Sequence, residues 1–138
     1  MAEEKAAVPG GAGLPPDLQT ASATKDDRST AMIAHLLGII GFLGPLIIFL
    51  VKKDGASKFA IFHMKQSLFL QIGVDVSAFV LFVIGAILSM IFIGIICFPI
   101  GMLVILAGRV YAIIGGITVN GGKDFEYKFV GPWVRKSL

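Results

Sequence analysis

The sequence predicts an all-α, polytopic membrane protein with three transmembrane helices, a short interfacial helix before the second, and a disordered N-terminal tail. The main observation is residues 67–119, fifty-three residues in which Asp75 and Arg109 are the only full charges. One helical crossing needs about 20 apolar residues, so this run is long enough for two. A shorter apolar run precedes it, and neither run shows the alternation of a barrel strand. Helices are then the remaining way to satisfy the backbone in hydrocarbon.

The composition agrees with a membrane protein and argues against several soluble classes. Apolar residues make up 56% of the chain and the mean hydropathy is +0.87, whereas globular domains contain about 45–50% apolar residues. Cys97 is the only cysteine, which excludes an intrachain disulfide and a cysteine metal site. The net charge is +3, but the basic residues flank apolar runs and are better explained by membrane topology. We predict no cofactor, no metal and no nucleic-acid partner.

The chain is predicted to divide at residue 30. Residues 1–30 contain prolines, glycines and charged residues but no apolar run, which is typical of a disordered tail. Residues 31–138 form the helical membrane domain, whose first span covers residues 31–51. This segment is apolar apart from His35, and at about 1.5 Å per residue it can cross the hydrocarbon. Gly38 and Gly41 lie on a narrow face of small residues that predicts helix packing.

The loop after the first span predicts an interfacial helix. Asp54-Gly55 marks a turn and Ser57 can cap a helix that leads into the second span. Its side chains are predicted to lie among lipid headgroups as topology determinants, with specific binding of an anionic lipid as the alternative. These side chains are Lys52, Lys53, Lys58, His63 and Lys65.

The long apolar run must fold back once, and Gly94 and Pro99 place the turn near residues 92–99. The second and third spans are then residues 66–91 and 99–119. Residues 120–138 are predicted to follow the membrane interface, anchored by Tyr127 and Trp133.

Basic residues predict the orientation. The 52–65 loop contains four lysines, the tail after residue 119 contains four basic residues, and the turn near 92–98 contains none. The residues before the first span are more acidic than basic. The positive-inside rule therefore places the N-terminus outside and the C-terminus in the cytoplasm of the inner (plasma) membrane.

Polar residues inside the spans are the candidate functional residues. Asp75 and Arg109 each lie ten residues from the inner end of a helix, so both are about 15 Å deep. An unpaired charge is costly there, which predicts a buried pair with Gln71 as a further partner. The pair either fixes helix register or lines a path for ions or substrates. His35 is predicted to be a buried packing residue in the outer half of the first span, too far from His63 to share a metal.

Small residues in the third span form a second candidate site. Gly108, Ala112 and Gly116 form a ridge at four-residue spacing, which predicts a close helix contact. The contact is either within the chain or between protomers, and the sequence leaves both open.

Several residues also resemble a known family. Ala34-His35-Leu36 opens an apolar span that ends at Lys52-Lys53-Asp54, followed by a spaced set of residues: Ser57, Phe59, His63, Gln66 and Gln71. Together with Gly122, Tyr127 and Pro132, this pattern resembles the bacterial relatives of the twenty-kilodalton Tic component of chloroplast inner-envelope protein import. The resemblance covers about residues 31–133 and implies a small multi-span membrane protein.

The function predicted from the sequence is non-enzymatic. The sequence contains no nucleophile–base pair, no phosphate-binding loop and no residues at the spacing of a zinc site. The first hypothesis is an assembly or accessory subunit that associates through its helices, as a homo-oligomer or with another membrane protein, within the lipid bilayer. The alternative is a small oligomeric channel or transporter, or a component like those of protein import, with a polar path at Gln71, Asp75 and Arg109.

Overall fold

The computed structural model describes residues 13–138, and residues 1–12 lie outside the described part. The described residues form helices without any β-strand, which confirms the predicted all-α class for this part of the chain. The α-helices are α1 (Lys25–Leu36), α2 (Leu43–Lys52), α3 (Lys58–Leu88), α4 (Cys97–Asn120) and α5 (Gly131–Lys136). Short 3-10 helices lie at Pro16–Leu18, Thr20–Ser22, Leu37–Ile40, Ser89–Ile91 and Ile93–Ile96.

The two long helices α3 and α4 form an antiparallel pair, and among residues 13–138 they are the elements long and apolar enough to cross a membrane. Glycines bring them together: Gly108 lies against Val74, and Gly85 lies against Cys97. The turn between them begins at Ser89, three residues before the predicted position, and Phe92 adopts a left-handed conformation with φ 61°. The predicted hairpin in the long apolar run is therefore present.

The predicted first span is not a single helix. Residues 31–51 are divided between α1, a 3-10 turn and α2, and the chain reverses at Gly41, where φ is +91°. Gly44 packs so closely on the Leu37 carbonyl that a Cβ would collide with it. Pro45 lies in the first turn of α2, where the amide hydrogen that proline lacks would have no partner within the helix. The three predicted spans are thus replaced by two long helices and one short helical hairpin, α1–α2.

The α1–α2 hairpin packs along one half of the α3–α4 pair. Near its open end the Ser57 hydroxyl donates to the Asp27 carboxylate at 2.7 Å. At its tip, Gly38 lies against Gln71 and Gly41 lies against Asp75, both near the middle of α3. The hairpin therefore reaches only about halfway along the long helices.

The described part of the predicted N-terminal tail is structured. Residues 13–24 contain two 3-10 helices, and α1 begins at Lys25 with a capping box between Thr24 and Asp27. Leu14 and Leu18 are buried in a hydrophobic cluster with Phe62 and Val134. The ordered part of the chain therefore begins before residue 31, where the sequence predicted it to begin. The prediction of disorder considered only the proline, glycine and charge content, whereas two leucines in this segment make buried apolar contacts.

The predicted interfacial helix is not a separate element. Ser57 caps the helix as expected, accepting from the Ala60 amide at 3.2 Å, but the helix continues without a break as α3. Phe59 and Phe62, in its first two turns, are buried in the protein interior. In the tail, Tyr127 is also buried, so it is not the predicted interfacial anchor, whereas Trp133 is 57% exposed.

Three separate segments meet at one end of the α3–α4 pair. We call residues 13–30, 52–65 and 120–138 the charged end. Lys58 pairs with Asp17 at 3.4 Å, the Thr20 amide donates to Asp124 at 2.5 Å, and Lys65 donates to the Ser137 carbonyl at 3.3 Å. Apart from Asp75 and Arg109, every Asp, Glu, Lys and Arg of the described residues lies in these segments. The turn at residues 89–96, at the opposite end, carries none.

Candidate functional site

Two groups of polar side chains, the first fully buried and the second partly exposed, hold the α1–α2 hairpin against the rest of the fold. The histidine cluster contains His35, His63, Gln66 and Tyr127, all essentially inaccessible to solvent. His35 Nδ1 lies 2.8 Å from the Tyr127 hydroxyl, and His35 Nε2 lies 3.1 Å from His63 Nδ1. The cluster thus joins α1, α3 and the C-terminal tail.

One backbone amide determines the direction of the hydrogen bonds in this cluster. The Tyr127 N–H can only donate, and it does so to Gln66 Oε1 at 2.8 Å. The Gln66 amide nitrogen, 3.3 Å from His63 Nδ1, must then be the donor of that contact, so His63 Nδ1 accepts. His35 Nε2 is therefore the donor to His63 Nδ1. His35 is fully buried, and burial favours the uncharged ring, in which Nδ1 accepts the Tyr127 hydroxyl hydrogen.

The contact between the two histidines corrects the sequence prediction. The sequence prediction puts His35 and His63 at different depths, because in it residues 31–51 form one crossing helix that runs antiparallel to α3. Since the chain reverses at Gly41, α1 instead enters from the same end as α3, and the rings meet with centroids 5.3 Å apart. His63 is fully buried, so it does not lie among lipid headgroups as predicted.

Sequence reasoning did not assign Gln66 and Tyr127 to a buried cluster. The signal for Gln66 was its position three residues after His63, on the same face of α3. No comparable sequence signal marks Tyr127, because its place beside Gly115, where a Cβ would lie 3.1 Å from the hydroxyl, is visible only in the structure. Small residues in α4 thus make room for aromatic and imidazole rings.

The second group, the ion-pair cluster, contains Gln71, Asp75 and Arg109. Arg109 Nη2 lies 2.8 Å from Asp75 Oδ1, and Arg109 Nη1 donates to Gln71 Oε1. The second Asp75 oxygen accepts the Phe42 amide hydrogen at 3.0 Å. The predicted pair therefore forms, and it holds the tip of the hairpin in addition to joining α3 and α4.

An apolar cleft of about 430 Å³ lies beside the hairpin tip. It is lined by Phe42, Ile72, Asp75, Val76 and Phe79. Asp75 is the only charged residue in this lining, and its oxygens already bond to Arg109 and to the Phe42 amide. The lining therefore offers a hydrated ion only a carboxylate whose two oxygens already have partners.

The predicted ridge of small residues on α4 packs against other helices of the same chain. Gly108 contacts Val74 of α3, Ala112 is fully buried, and Gly116 contacts His35 and Met32 of α1. Of the two alternatives for this ridge, the structure shows the contact within the chain. Gly38 and Gly41, in contrast, accommodate polar side chains of α3 instead of a second helix backbone.

The predicted headgroup lysines differ in their surroundings. Lys52 and Lys53 are exposed, Lys58 pairs with Asp17, and Lys65 contacts Ser137. Among residues 13–138, no group of three or more His, Cys, Asp or Glu side chains is arranged to hold a metal ion.

Comparison with known families identifies the relationship. Residues 26–134 match the magnetosome magnetite crystal formation protein family, MamF/MmsF. The chain belongs to this family. No curated protein and no solved structure matches it. Membership implies a membrane protein involved in magnetosome crystal formation, and the two long apolar helices agree with this.

The resemblance to relatives of the Tic component was wrong, because the matched family is MamF/MmsF. The residues that carried the resemblance include His35, His63, Gln66 and Gln71, all buried inside the fold of this MamF/MmsF member. The spacing of these residues reflects the packing of a short hairpin on two long helices. Packing of this kind determines the fold and does not specify a role in protein import.

Proposed function

We propose that this chain is a non-enzymatic accessory protein of magnetite crystal formation. It crosses the membrane twice, through α3 and α4, and inserts the α1–α2 hairpin into one leaflet. The observation that supports this most directly is the meeting of residues 13–30, 52–65 and 120–138 at one end of the long helices. In this arrangement both terminal segments lie on the same side of the membrane.

Helix lengths support the re-entrant hairpin. At about 1.5 Å per residue, α1 is about 18 Å long and α2 about 15 Å, whereas the hydrocarbon core is about 30 Å thick. Neither arm can cross alone. Residues 66–88 of α3 extend about 34 Å, which is sufficient. A reversal within hydrocarbon is tolerated where its backbone is covered by protein, and at the tip Asp75 accepts the Phe42 amide hydrogen.

The charge distribution supports an orientation. All basic side chains of the described residues except Arg109 lie at the charged end, and the far turn has none. The positive-inside rule then places the charged end in the cytoplasm. The proposed N-terminal side is thus opposite to the one predicted from the sequence, which required three crossings.

The surface composition supports an accessory role through association. The side chains that α2, α3 and α4 direct outward are largely apolar, and examples are Ile47, Phe79, Ile87, Leu103 and Leu106. The charged and amide side chains of the crossing part bond inside the fold, in the histidine and ion-pair clusters, and the exposed Ser77 bonds to a carbonyl of its own helix. Such a chain offers helix surfaces to other membrane proteins or to further copies of itself, and it influences the crystal through them.

Site-directed crosslinking in native membranes tests the association. After Cys97→Ala, single cysteines are placed at Leu106 on α4 and at Val80 on α3, both exposed. At native expression we expect at least one position to capture a specific partner or a second copy, and crystal size to change when that position is made bulky. A strictly monomeric result at both positions, and at a third single cysteine in place of the exposed Ile47 of α2, would contradict the proposal.

A further inference from the structure

The C-terminal segment presents an outer surface that no contact within the described part of the chain explains. Phe129 is 91% exposed and Trp133 is 57% exposed, although the neighbouring Val134 is fully buried. Lys128 and Lys136 are exposed on the same segment. We propose that residues 128–136 form a docking surface for an anionic bilayer, with the two aromatic rings in the headgroup region and the two lysines at lipid phosphates.

The depth of this surface follows from its contact with α3. The Trp133 ring packs edge-on against Phe69, with centroids 4.7 Å apart. Phe69 lies four residues beyond Lys65, about 6 Å further along the helix. Lys65 itself donates to Ser137, just after α5. Trp133 is thus fixed at the level where α3 leaves the charged residues and enters its apolar part, which is where tryptophan concentrates in membrane proteins.

Buried contacts on the inner side of residues 128–136 hold the exposed side chains of this segment in place. Gly131 and Val134 are buried, and Gly131 packs tightly on the Glu126 side chain. Arg135 lies 3.7 Å from the Glu126 carboxylate, so it is directed inward. The outer side is left with two aromatic rings and two lysines within nine residues, the composition of an interfacial anchor.

Charge favours an anionic lipid surface over a neutral one. Glu126 lies just before the segment and is buried, and the partly exposed Arg135 pairs with it, so the exposed and unpaired charges of residues 128–136 are those of Lys128 and Lys136. Each lysine at an anionic surface favours the bound state by about fivefold. The two together should favour docking by about 25-fold over a neutral surface.

Trp133 provides a direct test because it is the only tryptophan in the chain. The full chain is reconstituted into neutral phosphatidylcholine vesicles and into vesicles that also contain phosphatidylglycerol. In the anionic vesicles we expect Trp133 fluorescence to be quenched by lipids brominated near the headgroup and protected from aqueous acrylamide. The Lys128→Gln/Lys136→Gln double variant should lose the anionic preference, and Lys123→Gln, outside the surface, should retain it.

Two outcomes would overturn the proposal. Trp133 could show equal acrylamide quenching in both vesicle types: open in both, the surface would be left to a protein partner, and protected in both, the segment would lie at the interface without any selectivity for anionic lipid. The double variant could also behave like Lys123→Gln. Far-UV circular dichroism checks that each variant is folded, and exposed lysines are not expected to affect folding. The proposal requires only that α3 enters the membrane, so it can hold even if the topology proposed above fails.

Discussion

Residues 31–51 and 67–119 are both apolar enough to enter a membrane, but only the second run forms helices long enough to cross one. The first run forms the second half of the 12-residue α1 and most of the 10-residue α2, on either side of a reversal at Gly41. The second run forms residues 67–88 of the 31-residue α3 and most of the 24-residue α4. Hydropathy therefore predicts entry into hydrocarbon, while the positions of glycines and their polar partners decide whether the chain crosses or returns.

The largest effects should come from the ion-pair cluster, which holds the hairpin tip. Asp75→Asn or Arg109→Leu alone leaves one charge without its partner and should lower the free energy of unfolding by about 3 kcal/mol. The Asp75→Leu/Arg109→Leu double variant should recover most of this loss. It should remain about 1 kcal/mol below the wild type, because the Phe42 amide loses its acceptor. Thermal unfolding in detergent micelles measures all four proteins.

If the pair instead serves a transport path, the double variant will fold and lose flux in reconstituted vesicles. That result would revive the channel hypothesis and contradict a structural role for the pair.

The reversal itself can be tested at Gly41. An alanine at this position is destabilised in two ways: its φ is positive, and its Cβ would lie about 2.8 Å from Asp75 Oδ2. Gly55 is a matched control, because its φ is +84° but nothing lies near its Cβ. We expect Gly55→Ala to cost about 1 kcal/mol from backbone strain and Gly41→Ala to cost about 2 kcal/mol or more. Equal costs in chemical denaturation would mean that the tip does not pack against Asp75.

The open end of the hairpin can be loosened at the histidine cluster. Tyr127→Phe removes the hydroxyl that donates to His35 Nδ1 and should cost about 1 kcal/mol. Tyr111→Phe is the control, because its ring packs beside Tyr127 while its hydroxyl makes no hydrogen bond among residues 13–138. Hydrogen exchange of the α1 amides should rise only in Tyr127→Phe, and a matching rise in Tyr111→Phe would contradict the assigned network.

The smallest effect concerns pH at the charged end. Burial raises the pKa of Glu126 above its ordinary 4.5, with Arg135 opposing this. A carboxyl whose pKa is higher in the folded state favours folding in its protonated form, so the native protein should lose this contribution as pH rises from 4.5 through the folded value. Glu126→Gln should abolish that part of the pH dependence. An unchanged pH profile in unfolding measurements would show that Glu126 titrates normally.

The sequence predicted the helical class, the α3–α4 hairpin and the Asp75–Arg109 pair, because charge depth and apolar length follow directly from residue order. It did not predict that His35 and His63 meet, since this depends on the reversal at Gly41. A glycine in an apolar run is equally compatible with helix packing and with a turn. Leu14 and Leu18 were missed for a related reason: isolated leucines form no apolar run, and they are buried only because α3 and α5 present Phe62 and Val134 to them.

Cysteine accessibility tests the re-entrant topology most directly. In a Cys97→Ala background, single cysteines are placed at Ala21, Lys53 and Leu138, all exposed at the charged end. Each is treated with a membrane-impermeant maleimide in right-side-out and inverted vesicles. We predict that all three react only in inverted vesicles, because the three segments share the cytoplasmic side. Labelling of Ala21→Cys from the side opposite to Lys53→Cys would show that residues 31–51 cross the membrane and would contradict the two-crossing arrangement.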